Sequence, residues 1–119
     1  MDDQQRLKTF LEKQKYMLLG VVLGDGSPWV VPVRITVHSG NTFEWYSKLD
    51  TLHSRSIANK PDIAITIYMS KNDDELEFGF YAKAMATLLG EDNGVGHYRA
   101  IVTRAWVNDY TYTKREIEI

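Results

Sequence analysis

The sequence contains no cysteine, and that one absence removes thiolate catalysis, iron–sulfur ligation, disulfide staples and thiol redox sensing together. The fold must hold by packing. Histidine is sparse, and His38, His53 and His97 lack the spacing of metal ligands, which argues against a zinc site. No G-x-S-x-G elbow occurs, and no pair of acids is placed for glycosidase chemistry. Long apolar runs are missing too; a stretch such as Met17–Leu23 is far too short to span a bilayer. The opening residues, Met1-Asp2-Asp3-Gln4-Gln5, lack the basic-then-apolar pattern of a leader, so a soluble cytoplasmic protein without a membrane partner is the expectation. Nor is there an excess of one charge. The net charge of -2 offers no concentrated basic surface for counterion release, so nucleic acid is not an expected partner.

What is present fits one domain over residues 1–119, long enough to bury about two-thirds of its unfolded surface. Asp2 or Asp3 can cap a helix within residues 1–15, whose Leu7, Phe10 and Leu11 fall at i, i+3, i+4. Met17–Leu23 is continuously apolar, as expected of a strand buried on both sides or set in a barrel wall, and Gly24–Pro28 is a hairpin turn. Trp29–Val37 reads as a strand with an open edge or bulge at Pro32, and after a turn at His38–Asn41 the run Thr42–Ser47 completes a three-stranded meander. Asp62–Met69 is a further strand and Ser70–Glu75 a charged loop. Leu76–Leu89 reads as a bent strand, with a helix as the competing reading. Gly90–Gly96 is a loop, Tyr98–Val107 a strand, Asn108-Asp109 a turn, and Thr113–Ile119 closes a hairpin. Six or seven strands with two helices make a mainly β protein, a small barrel.

The organising stretch is Trp45–Tyr68: the end of one strand, a short helix opened by Asp50 and Thr51, a stop at Pro61, and an apolar strand. Lys48, His53 and Arg55 gather around the helix start. Unpaired N–H groups and the positive dipole end there attract an anion, and these cations would reinforce it. The plain alternative is three solvated charges on an exposed loop and helix.

The run Y-S, short linker, D-T-x-H-S-R-x-I-x-N-x-P, strand resembles the pyridoxamine 5′-phosphate oxidase-like family of flavin-binding split barrels. The resemblance covers most of the chain from about Met17 and is densest between Val30 and Tyr68. It implies a split β-barrel of the FMN-binding type, a homodimer with flavin at the subunit interface, and redox chemistry on a small-molecule substrate. A deazaflavin or haem in place of FMN, and a carrier or sensor in place of an enzyme, stay open. By the resemblance, Val31, Pro32, Val33 and Arg34 run past the flavin ring, Tyr46 and Ser47 offer backbone and side-chain contacts, and Lys48, Leu52 and His53 meet the phosphate. Leu52 stands where the oxidases carry an arginine, with His53 and Lys48 as substitutes.

The resemblance further implies that Glu77 and Lys83 pass near the ring and phosphate, and that Trp106 and Arg115 reach the flavin from the C-terminal hairpin. Glu77 replaces a glutamine of the oxidases, and a carboxylate at the pyrimidine edge would disfavour the anionic reduced flavin. For Arg34, Glu77, Trp106 and Arg115 the alternatives are surface charge and core packing. The arginine–histidine cluster that holds substrate phosphate in those oxidases is missing, which leaves the substrate open. The structural rival is an oligonucleotide-binding barrel, in which Trp29, Phe43, Trp45 and Tyr46 would form a stacking face.

Overall fold

In the computed structural model of the chain, residues 2–69, 77–109, 111 and 113–119 are described. The expected charged loop Ser70–Glu75, and Leu76 at the head of the expected long strand, lie outside them. Helix α1 (Asp3–Glu12) starts where the sequence asks it to. The Asp2 carboxylate accepts from the Gln5 backbone N–H at 2.8 Å, and the Gln5 side chain accepts from the Asp2 N–H at 3.4 Å. Such a capping box stabilises a helix by about 1 kcal/mol. The helix stops short of residue 15 because Lys15 already belongs to the sheet, its carbonyl accepting from the Ile35 N–H at 2.8 Å.

Among the described residues eight strands follow: β1 (Tyr16–Val22), β2 (Pro28–Arg34), β3 (Val37–Ser39), β4 (Thr42–Lys48), β5 (Asp62–Met69), β6 (Phe78–Asp92), β7 (Val95–Asp109) and β8 (Arg115–Ile117). Their order in one antiparallel sheet is β2-β1-β5-β6-β7-β4-β3, with β8 beside β7. The two end strands, β2 and β3, are consecutive in the chain. The expected single strand Trp29–Val37 therefore breaks at Ile35-Thr36, where Ile35 bonds to Lys15 on the β1 side and Thr36 donates to the Glu44 carbonyl on the β4 side. A sheet whose ends are handed over within two residues must curl round. The result is a split barrel, and the simple meander gives way to two hairpins at opposite ends of the sheet.

Three further expectations change. Met17–Leu23 is strand β1, but only Met17, Leu19 and Val21 are buried, while Tyr16, Leu18 and Val22 face out. The expected loop Gly90–Gly96 is the tight end of a long β6–β7 hairpin. Asn93 and Gly94 have φ of 53° and 79°, the doubly positive pair of a type I′ turn, which keeps both strands paired to the tip. The same pairing carries β7 on through Asn108-Asp109, expected as a turn, to its partner Phe78 on β6.

Helix α1 closes one end of the barrel, laying Leu7, Phe10 and Leu11 on the core with the Phe10 ring edge-on to Phe78 at 5.0 Å. Helix α2 (Leu52–Asn59) closes the other. Its Ile57 is buried, and Ser56 Oγ donates to the Val22 carbonyl at 2.7 Å, fixing the helix to the end of β1. Between the two lie Met17, Leu19, Phe43, Trp45, Ile65, Phe80 and Val107, all fully buried. Phe43 and Trp45 are thus core residues, whereas Trp29 and Tyr46 are exposed, so the four aromatics of the oligonucleotide-binding alternative share no face.

Candidate functional site

Strand β2 ends the sheet, so its edge away from β1 has no strand partner among the described residues. Strand β4 pairs with β3 only through Thr42, Phe43 and Glu44, which leaves Trp45–Lys48 unpaired on that side. β2 and β4 lie in contact without forming a ladder. This is the split, and its two lips carry most of the expected site. Val31, Pro32, Val33 and Arg34 form one lip. Tyr46, Ser47 and Lys48 form the other and lead into Leu52 and His53. Pro32, opposite Leu18, lies on the end strand, where its missing N–H costs no central ladder bond. Arg34 lies at the α1 end of its lip, over the Tyr16 ring at 5.7 Å, and Lys48 at the α2 end of the other.

Of Asp50 and Thr51, the pair expected to open the helix, the second caps it. Thr51 Oγ1 accepts from the Ser54 N–H at 3.1 Å and donates to the Lys48 carbonyl at 3.1 Å. The N–H groups of Leu52 and His53 make no hydrogen bond within the described residues. His53 is only 7% exposed, with Nε2 3.0 Å from Ser47 Oγ and 3.5 Å from Thr51 Oγ1. Burial pushes its imidazole below the ordinary value, so at neutral pH it is an uncharged group that fixes the Ser47 hydroxyl. Its ring is thus turned to Ser47 and Thr51 at the place where the resemblance implies a phosphate contact. Lys48 is exposed beside the unbonded N–H groups, while Arg55 lines the flank of α2 that faces β6 and β7.

Tyr46 is exposed and stacks on His97 with ring centroids 4.5 Å apart. His97 Nε2 lies 2.7 Å from Glu44 Oε1, and Arg99 donates to the other carboxylate oxygen at 3.3 Å. This group was missed in the sequence. Its signal, the alternation Glu44-x-Tyr46 against His97-x-Arg99, acquires meaning only from the register that pairs Tyr46 with His97 and Glu44 with Arg99.

The remaining expected residues lie apart. Lys83 flanks a groove of about 620 Å³ across the outer sheet face, floored by Gly20 and Ala64 and walled by Trp29, Val30 and Met85. Glu77 is exposed just before β6. Trp106 carries the Arg104 guanidinium over its ring at 4.8 Å. Arg115 binds Asp3 at 2.8 Å and Asp109 at 3.3 Å. Glu77, Trp106 and Arg115 therefore sit toward the α1 end, away from His53 and Lys48.

A family profile described as pyridoxamine 5′-phosphate oxidase matches residues 3–116. No curated protein matches the sequence significantly. Among solved structures, a heme binding protein from Mycobacterium smegmatis superposes with a TM-score of 0.83 at 12% identity over 99% of this chain, which spans 58% of that protein. A Clostridium acetobutylicum protein related to general stress protein 26 of Bacillus subtilis gives 0.79 at 12% identity, with 100% and 97% of the two chains covered. An FAD-binding protein from Mesorhizobium loti gives 0.75 at 11% identity, covering 91% and 93%. Identities this low speak to fold, while the profile spans nearly the whole sequence: the chain belongs to the pyridoxamine 5′-phosphate oxidase family and has its split-barrel fold.

Proposed function

We propose that the split between β2 and β4 binds FMN, and that the chain is a flavin-dependent oxidoreductase working as a homodimer in the cytoplasm on a small-molecule substrate. The observation that carries this reading is the pair of facing strand edges on β2 and β4 without a ladder between them, with β4 running through Lys48 into a helix start whose first N–H groups are unbonded. A flavin ring needs main-chain donors and acceptors along one edge, which an unpaired strand supplies. Its phosphate needs N–H groups and a cation, supplied by Leu52, His53 and Lys48.

In this reading Val31–Val33 orient the ring, Tyr46 walls it, and Ser47, held by the neutral His53, offers a fixed hydroxyl. Bound FMN would supply hydride or electron transfer between a reduced donor and an acceptor, and the protein would set orientation and electrostatics. Haem, the ligand in the name of one structural relative, fits the histidines less well. The Nε2 atoms of His38, His53 and His97 all have partners, Gly40 O, Ser47 Oγ and Glu44 respectively, and axial ligation through Nε2 would break one of those contacts.

Titration with FMN and with riboflavin, followed by the flavin visible spectrum, tests the assignment. FMN should bind at least about tenfold more tightly, roughly 1.4 kcal/mol. Equal affinities would remove the phosphate from the α2 start, and no binding of either flavin would remove the cofactor. Steady oxidation of a reduced nicotinamide by the FMN-loaded protein separates an enzyme from a carrier.

A further inference from the structure

We propose that a second cavity, on the flank of α2 facing β6 and β7, binds a small amphipathic monocarboxylate. The inference stands apart from the flavin reading. The cavity has a volume of about 490 Å³, within the roughly 300–1,000 Å³ of small-molecule sites. Leu49, Ile57, Leu88 and Tyr98 give it apolar walls. Those walls are held in place from below: a Cβ on Gly96 would meet the Tyr98 ring at 2.7 Å, Leu88 at 2.9 Å and Leu49 at 3.0 Å, so three lining side chains converge on bare backbone. The pocket is therefore set by close packing.

Two polar features select the ligand. Arg55 is the charged residue in the lining, and no carboxylate among the described residues pairs with it, so the site favours an anionic head. Ser54, 2% exposed, also lines the cavity, and its Oγ is a buried polar atom without a hydrogen-bond partner. A buried hydroxyl left unbonded is costly, and one rotamer step re-aims a serine oxygen. A carboxylate held by Arg55, with Thr87 at the same cavity, offers the missing acceptor, and an alkyl or aryl body then covers the leucines. A cationic ligand would meet Arg55 with repulsion, and a purely apolar one would leave Ser54 unbonded.

The test uses octanoate as probe, with octylamine and 1-octanol as charge controls, all below their aggregation concentrations. Trp45, stacked on Tyr98 at 5.5 Å, is a fluorescence reporter, and amide chemical shifts of α2 and β7 locate the site. Octanoate should saturate, with octylamine and octanol at least tenfold weaker. Arg55→Gln should weaken octanoate about tenfold. Ala58→Phe, filling the cavity from the helix surface, should abolish binding while FMN affinity and the circular dichroism spectrum stay unchanged. Absence of saturable octanoate binding, equal binding of octylamine, or unchanged affinity in both folded variants would overturn the proposal.

Discussion

Lowering the pH separates the two roles considered for His53. Were it a phosphate cation, FMN affinity would rise as the imidazole charges. The structure predicts otherwise: His53 is buried, burial lowers its pKa below 6.5, and Nε2 is occupied by Ser47. Affinity should therefore stay flat or decline between pH 7.5 and about 6, where a phosphate monoester begins to lose its second charge. Stability carries the pH signal. A folded-state pKa below the unfolded one gives a contribution complete above the unfolded value and lost as pH falls below it, because the unfolded chain takes up a proton that the folded one refuses. His53→Gln should flatten that loss relative to wild type in urea melts between pH 8 and 5.5. At neutral pH, His53→Ala removes one hydrogen bond, about 0.5–1.5 kcal/mol, and frees the Ser47 hydroxyl, weakening FMN about tenfold. Lys48→Ala should weaken FMN by a similar factor at low salt and less at high salt, since an exposed lysine acts through screened attraction. An FMN affinity that climbs on acidification in wild type, and not in His53→Gln, would refute the reasoning.

The α1 end gives a second pH handle. Hydrogen bonds from Thr111, with Arg115 beside it, hold the Asp109 carboxyl down from 3.8 to about 2, roughly 2 kcal/mol in favour of the ionised form before screening. Arg6 and Arg115, each 34% exposed, are open to solvent, so Asp109→Ala should cost about 1–2 kcal/mol at pH 7. For this depressed carboxyl the contribution is present above 3.8 and lost as pH falls toward 2, so the difference between variant and wild type should shrink over that window in denaturant melts. On the outer face, Leu18→Glu should shift the proposed dimer toward monomer in sedimentation without changing the secondary structure. A variant that sediments like wild type would place the interface elsewhere.

Most elements were legible because their periodicities are strong. Leu7, Phe10 and Leu11 gave the α1 face, and Asp62–Met69 was read to its exact ends. The misreadings share a cause: pairing partners, distant in sequence, decide where a segment stops. Trp29–Val37 is one β-favouring run, yet the need to bond Lys15 on one side and Glu44 on the other cuts it in two. Gly90–Gly96 reads as loop by composition, but Asn93-Gly94 suits the doubly positive turn and the rest is drawn into the β6–β7 ladder. The split itself was half visible, since Pro32 marked an open edge. The neutral state of His53 was not, because its burial depends on how α2 caps the barrel.

Strand β1 states the case for a second copy most directly. Its sequence is apolar on both faces, as for a strand covered on both sides, yet within one chain only the Met17, Leu19 and Val21 face is covered; Leu18 remains 43% exposed and Val22 48%. Val30 on β2, Met85 on β6 and Ile101 on β7 are exposed as well. An apolar outer surface of this breadth needs a cover, and a twin supplies one without a new partner. The site residues ask for the same thing. Lys48 and His53 lie at the α2 end, whereas Trp106 and Arg115, which we propose as flavin contacts, lie toward the α1 end with Arg115 held by Asp3 and Asp109. Within one chain, no contact among the described residues joins Trp106 or Arg115 to Lys48 or His53. In the homodimer we propose, Trp106 and Arg115 of one copy serve the split of the other, and the Asp3–Arg115–Asp109 contacts hold that arm in place. Mixed dimers of an Arg115→Ala chain with a Lys48→Ala chain test it: one of the two splits then keeps both residues and should bind FMN as in wild type, whereas each parent homodimer should not.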